Sequence, residues 1–302
     1  MADTSTLKIG FVGLGNMGGP MSRNIVAAGF DTTVFDLDPE KVAAVVAAGA
    51  TAADDLASCV ANADVVLTSL PGPKQVSAVG EELFSAMQRG AVWLDLSTND
   101  LDCARGLAGP AAEAGIALLD GPVTGGAEGA EAGTLSVLVG GDADTHARVE
   151  PVLAAIGNRY DLLGPHGAGY VAKIASVSLC YLQSVCLTEA MLLGAKGGVD
   201  PDKMLDIIRH STGRSYVADR YGPEILNGGY DDTFDLNLAV KDLRLASELG
   251  GTVEATLPFM ESVLSFYREA EDNYGPTAPH LIAMQDLERM NDLILHEQQT
   301  DQ

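Results

Sequence analysis

Positive charge is what this chain of 302 residues has least of: 18 Lys and Arg stand against 42 Asp and Glu, a formal net charge of −24. Such a field repels polyanions, which excludes nucleic acid and an anionic membrane surface as partners. The excess of Asp over Lys is open to two readings, adaptation to salt or ordinary surface acidity. Cysteine is also scarce. Cys59, Cys103, Cys180 and Cys186 form no CxxC pair and have no ligand spacing with the five histidines. This excludes a disulfide framework and a metal centre, and reads as buried thiols in a reducing compartment. No apolar stretch is expected to reach the roughly 18 residues that a bilayer crossing needs. The start, MADTSTLKIG, has no basic segment leading into an apolar one. The expectation is a soluble, cytoplasmic protein whose polar end, HEQQTDQ, frays.

What is present is apolar content enough for a full core, 47% of the chain, and length enough for two domains. The first half alternates β-rich runs with Ala-rich helical stretches. Strands are expected at Leu7 to Gly15, Thr32 to Asp36, Asp64 to Leu70, Ala91 to Ser97, Ala117 to Val123 and Leu135 to Gly141. GPMSRNIVAAG and PEKVAAVVAAG read as helices closing on a C-terminal glycine. This alternation predicts an α/β fold, a Rossmann-like, doubly wound, mainly parallel sheet over residues 1–164. From 165 to 302 the pattern is helical throughout, and an all-α C-terminal domain joined by a long helix is expected. That helix spans about 30 residues, from AGYVAK onward. Further helices are predicted after Asp200-Pro201, at LAVKDLRLASELGG, at PFMESVLSFYREAE and at HLIAMQDLERMNDLI.

Directly after the first expected strand stands Gly13-Leu14-Gly15-Asn16-Met17-Gly18, a GxGxxG. Gly13 permits a tight turn, Gly15 lets backbone approach a pyrophosphate, and Gly18 lets the helix pack on the sheet while its N-terminal N–H groups face the anion. Asp36 closes the second strand about 20 residues later, where a carboxylate accepts the ribose hydroxyls of NAD and repels the 2′-phosphate of NADP. No arginine follows it in FDLDPEK. NAD is therefore the expected cofactor, ahead of NADP. The plainer reading of Asp36 is a cap on the turn before Pro39.

FVGLGNMGGPMSRNI resembles the signature of the β-hydroxyacid dehydrogenases, which include 3-hydroxyisobutyrate dehydrogenase and tartronate semialdehyde reductase and are related to 6-phosphogluconate dehydrogenase. The resemblance continues in order through TSLPGPKQV, DLSTND, DGPVTGGAEGAEAGTLSVLVGG, GAGYVAK and FDLNLAVKDL. It implies Leu70 and Pro71 beside the cofactor and Thr98 near the nicotinamide ribose. It also implies a substrate loop in which Thr124 stands where serine is usual, with Gly125 and Gly126 offering N–H groups to a carboxylate. Lys241, for the cofactor, and Asp242, for the substrate, are implied on a late helix. The implied activity is reversible NAD(P)-linked oxidation of a small anionic β-hydroxy acid by a homo-oligomer, dimer or tetramer.

GAGYVAK matches the catalytic-lysine motif of that family and implies that Lys173 is the general acid/base. Alcohol oxidation requires a group that takes the hydroxyl proton as hydride leaves, and a desolvated lysine has its pKa lowered toward that task. The bland alternative is a lysine whose ammonium reaches solvent from an apolar helix. The family has asparagine three or four positions later, where this chain has Ser176 and Val177. Ser176 then either holds the substrate hydroxyl or bonds the carbonyl one turn back. For Lys241, and for Arg244 beside it, the alternative is a surface ion pair. Arg214, between Gly213 and Ser215, is either a second anion contact or part of an exposed turn. Two other functions stay open: reduction of a different small anion or imine, and a non-catalytic NAD-binding sensor.

Overall fold

A computed structural model describes residues 7–296, so the expectations for MADTST and for all but the first residue of HEQQTDQ lie outside the described residues. The chain divides into two compact units, Met1–Lys173 and Ile174–Gln302.

The described strands all fall in the first unit: β1 (Lys8–Val12), β2 (Asp31–Phe35), β3 (Thr51–Ala52), β4 (Val65–Thr68), β5 (Val92–Asp95), β6 (Ala117–Asp120), β7 (Val123–Thr124), β8 (Leu135–Val137), β9 (Val139–Gly140), β10 (Gly157–Arg159) and β11 (Leu162–Gly164). Between them run α1 (Gly18–Ala27), α2 (Pro39–Val46), α3 (Leu56–Val60), α4 (Pro73–Ala86), α5 (Leu101–Ala114), α6 (Gly126–Ala132) and α7 (Ala143–Ile156). The main sheet has the order β11-β9-β6-β5-β4-β1-β2-β3, and β10, β8 and β7 form a second, small sheet. All pairings from β3 through β6 are parallel, while β6 meets β9 antiparallel. This is the doubly wound fold, mainly parallel.

Alternation along the central strands explains why they read as unbroken apolar runs. Ile9, Phe11, Val65, Leu67, Val92 and Leu94 enter one core layer. Val12, Val66 and Trp93 enter the layer on the opposite face. A strand covered on both sides has no polar face to alternate with. Capping residues set the flanking helices: Asp38 accepts from Glu40 N–H ahead of Pro39, Asp55 and Ser58 form a capping box, and Asp100 and Asp142 cap α5 and α7.

Two expected strands divide. Ala117 to Val123 becomes β6 and β7, and Leu135 to Gly141 becomes β8 and β9, each pair split between the two sheets. The short β3, β10 and β11 were not expected; with two or three residues each they carry too little periodicity to read.

The helix α8 (Ala168–Lys196) crosses from the first unit into the second. In the second unit follow α9 (Pro201–Arg209), α10 (Tyr216–Arg220), α11 (Gly222–Leu226), α12 (Leu236–Thr252), α13 (Pro258–Tyr274) and α14 (Met284–Met290). The helix expected at HLIAMQDLERMNDLI is shorter than predicted, because His280–Ala283 forms a 3-10 turn ahead of α14. There the His280 ring is buried and meets the Asp231 carboxylate at 3.0 Å. Burial pushes the Asp231 carboxyl upward, but His280, Thr233 and Arg220 outweigh it and hold the pKa down to about 2.

Two expectations from composition are corrected. The 29-residue α8 is long and apolar enough, by length and composition alone, to cross a membrane, where no apolar stretch of that length was expected. Its composition averages over Lys173 and its serines, and Tyr181, Leu187, Met191 and Leu192 carry it into the core of the second unit. Nor are all four thiols buried: Cys59 is, Cys103 and Cys180 are half-buried, and Cys186 is exposed. Burial pushes the Cys59 thiol up to about 12. At about pH 8, iodoacetamide should therefore label Cys186 in the native protein and leave Cys59 unmodified until denaturant is added. Peptide mass spectrometry checks this, and equal labelling of the two would contradict it.

Candidate active site

The register of the central strands brings five C-terminal ends into one row. Phe35 pairs with Val12, Val12 with Thr68, Thr68 with Asp95, and Asp95 with Asp120. Strand order reverses direction between β1 and β4, the switch point at which doubly wound sheets bind ligands beyond their strand ends. The loops leaving β1 and β4 flank that point.

Three glycines of the first loop have three separate physical reasons. Gly13 has φ +91°, and its N–H donates to Phe35 O at 3.0 Å. A Cβ on Gly18 would overlap the Gly13 carbonyl, so this glycine allows α1 to start against the loop. A Cβ on Gly15 would meet no protein atom within 4 Å. At Gly15 the requirement is thus not internal packing; the open space suits a ligand that comes close to backbone. Leu14, Asn16 and Met17 complete the loop, and α1 has no acidic residue in its first turn to oppose an anion. Asp36 accepts the Leu14 N–H at 2.6 Å and the Asp38 N–H at 2.9 Å. The cap reading is correct, and beyond it the carboxylate is tied to the glycine loop. These residues fit a dinucleotide: open backbone at Gly15, a helix N-terminus, and a carboxylate at the end of β2.

Leu70, in the loop leaving β4, lies against Gly13, where an added Cβ would be 3.1 Å from Leu70 Cδ2, and Pro71 follows it. The Leu70 N–H donates to Ser97 Oγ at 2.9 Å, which joins this loop to the turn holding Thr98. Thr124 ends β7 and is exposed; Gly125 (φ +129°) follows, and Gly126 (φ +66°) is the first residue of α6.

Sequence reasoning missed two buried carboxylates at this end of the sheet, Asp95 and Asp120. Asp95 Oδ1 accepts from Thr68 Oγ1 at 2.6 Å, Ser97 Oγ at 2.6 Å and Ser97 N at 3.2 Å, while Oδ2 accepts from Tyr170 OH at 2.7 Å. Burial pushes the Asp95 carboxyl above its ordinary range, and the hydrogen bonds from Ser97, Thr68 and Tyr170 pull it back in part. Tyr170 is raised well above the usual phenol value, first by burial and then by Asp95, so its hydroxyl stays protonated and donates. The nearby His166 imidazole is lowered by burial, against the carboxylates of Asp120 and Asp95. Asp120, fully buried, accepts from Gly167 N at 2.6 Å and Tyr170 N at 3.0 Å. A signal existed: an Asp at the end of a run that is otherwise apolar, in AVWLDLS and again in ALLDGPV.

Lys173 is half-buried on α8, one turn after Tyr170. Ser176 follows a turn later and belongs to the second unit. There, on α12, Lys241 Nζ lies 3.3 Å from the buried Asp242 carboxylate, which also accepts from Tyr181 OH at 3.1 Å. Arg244 pairs with Glu248, and Arg214 with Asp219, on exposed surface.

The model for the NAD binding domain of 6-phosphogluconate dehydrogenase matches residues 8–164, and that for the NAD-binding domain of NADP-dependent 3-hydroxyisobutyrate dehydrogenase matches residues 167–285. A 3-hydroxyisobutyrate dehydrogenase of Pseudomonas aeruginosa is 39% identical over 260 residues, 83% of this chain and 87% of the relative. The chain belongs to the 3-hydroxyisobutyrate dehydrogenase family of NAD(P)-binding oxidoreductases. An NAD-dependent L-serine dehydrogenase from the same organism is 36% identical, covering 86% of this chain and 91% of that one. A solved structure of the Mycobacterium tuberculosis 3-hydroxyisobutyrate dehydrogenase with L-serine has a TM-score of 0.88 at 30% identity, covering 93% of this chain and 99% of that one. Activity in this family is hydride transfer between NAD(P) and a small carboxylate, and this chain is an enzyme of that kind.

The glycines separate binding from folding. Gly15→Val should leave the melting temperature nearly unchanged, because its side chain enters open space, yet weaken NADH binding about tenfold or more. Gly18→Val should lower the melting temperature instead. Thermal melts and NADH fluorescence titration read both; unchanged NADH affinity in Gly15→Val would contradict the cradle.

Proposed function

We propose that this enzyme oxidises the hydroxyl of a 3-hydroxyisobutyrate-like β-hydroxy acid, with NAD as cofactor and Lys173 as general acid/base. The observation that carries the reading is Lys173 standing one turn beyond a helix N-terminus that is bonded to the row of strand ends holding the glycine loop. Both 3-hydroxyisobutyrate and L-serine carry a hydroxymethyl group on the carbon next to a carboxylate, and differ only in the substituent at that carbon. The common part is what Gly125, Gly126 and Thr124 are proposed to bind, through backbone N–H groups and a hydroxyl.

When bound, the nicotinamide accepts hydride during oxidation and returns it during reduction. Lys173 Nζ takes the hydroxyl proton in the first direction and gives it back in the second. Ser176, with Val177 beside it, stands where the family's asparagine is expected and is proposed to hold the substrate hydroxyl, which makes this pair the determinant of the variable substituent. Leu70, Pro71, Thr98 and Lys241 line the cofactor in this reading, and Asp242 orients Lys241 and bounds the substrate. NAD is preferred over NADP because the Asp36 carboxylate, fixed by two backbone N–H groups, would face the 2′-phosphate with no arginine after it. A homo-oligomer in the cytoplasm belongs to the same proposal.

Lys173→Ala should lower kcat by ~10²–10⁴ with the fold and NADH affinity retained. The assay is NADH-linked absorbance over 3-hydroxyisobutyrate, L-serine, glycerate and a sulfonate analogue, with NAD and with NADP. Near-normal turnover in the variant removes the role of Lys173. A clear preference for NADP overturns the cofactor, and NAD binding without turnover of any acid leaves a non-catalytic binder.

A further inference from the structure

Helix α8 carries Lys173 but provides no cap of its own. Its first turn contains no acidic side chain, and the residue before it is Gly167. The first N–H groups of a helix have no partner within the helix, and leaving them unpaired in a buried place is costly. Here a residue from another element supplies the acceptor. Asp120, at the end of β6, takes the Gly167 N–H on one oxygen and the Tyr170 N–H on the other.

The surroundings of Asp120 are shaped to this contact. A Cβ on Gly140, its neighbour across the antiparallel pair, would lie 2.5 Å from Asp120 Oδ1. A Cβ on Gly169 would lie 2.7 Å from Asp120 Oδ2 and overlap the Leu138 carbonyl. Gly167 needs φ +98°. The glycines of GAGYVAK thus let the helix come down on the carboxylate. Tyr170 then adds a second tie. Its hydroxyl donates to Asp95, which holds Ser97 and, through Ser97 Oγ, the Leu70 N–H of the β4 loop. Lys173 lies on the same side of α8 as Tyr170, three residues on.

We infer that Asp120, with the Tyr170–Asp95 pair, is a positioning device that sets Lys173 against the cofactor loops. This rests on Lys173 being the proton-transfer group. The device acts through the helix backbone and touches no reacting atom. A displacement of about 1 Å at a reacting group can cost about a hundredfold in rate, so two backbone bonds one turn from the lysine suffice to matter.

The test uses Asp120→Asn and Tyr170→Phe in the full chain. The amide can accept from only one of the two N–H groups and presents its own N–H to the other, while the phenylalanine removes a single hydroxyl. In the apoprotein, competitive acetylation over a pH series is read at the Lys173 peptide, with exposed Lys196 as the control. Each variant should shift the Lys173 labelling midpoint by about half a pH unit or more and leave Lys196 unchanged. With NADH, the dissociation constant should stay within about twofold while kcat on the fastest acid of the panel falls about ten- to a hundredfold. In a Lys173→Ala background the same substitutions should change the residual kcat by less than about twofold. Unchanged Lys173 labelling in both variants, or equal losses of kcat in the two backgrounds, overturns the positioning role. If Asp120→Asn does not fold, Tyr170→Phe decides. Wild-type turnover by Lys173→Ala alone overturns the assignment of Lys173 instead, and the labelling result, obtained without substrate, separates the two failures.

Discussion

Two carboxylates buried at the ends of adjacent strands are the constraint on which the functional end of the first unit depends. Moving a carboxylate out of water is costly unless donors replace the water. At Asp95 the donors are Thr68, Ser97 and Tyr170, and at Asp120 they are two backbone N–H groups at the start of α8. Charge-assisted bonds of this kind are short and directional. The β4 loop, the turn after β5 and the helix that follows β11 are therefore held to the strand ends by polar contacts in a dry place, where such contacts are strongest. The donors also form chains with one direction. Trp93 Nε1 donates to Thr68 Oγ1, which donates to Asp95; Leu70 N donates to Ser97 Oγ, which donates to Asp95.

The glycines fall into two physical kinds around this frame. At Gly18, Gly140 and Gly169 a side chain would strike protein atoms, so the residue is required for close packing of the fold. At Gly15 a side chain would strike nothing in the protein. Open space alone does not single Gly15 out, since Gly29, Gly90 and Gly126 have it too; its place in the loop at the strand-order reversal does. Glycine content by itself does not distinguish them.

The second unit repeats the use of buried polar pairs on a helical scaffold. Asp242 sits between Tyr181 OH and Lys241 Nζ, and Asp231 between His280 and Arg220. Each acidic group is buried, with a half-buried cation near it, Lys241 or Arg220. Tyr230 and Asp231 take φ values of +54° and +55°. The backbone strain at those residues is held by the His280 contact and by Tyr230 OH donating to Glu288 at 2.8 Å.

Local periodicity was enough to read the alternation of strand and helix, the parallel sheet, the glycine loop and the helical second half, because two-sided burial and helix capping leave their mark within a few residues. The family motifs carried the candidate site residues from Gly13 to Asp242. Short strands such as β3 and β10, and the division of β6 from β7, were not legible, since two or three residues carry no period. Asp95, Asp120 and Tyr170 were missed for a different reason. They lie 25 and 50 residues apart along the chain, and only the in-register pairing of β5 with β6, together with the descent of α8 onto their ends, makes them neighbours. Residue type and order along the chain thus determined which elements form and which loop can meet a dinucleotide. Tertiary structure decided which carboxylates are desolvated and what they hold, because burial and hydrogen bonding depend on distance in space.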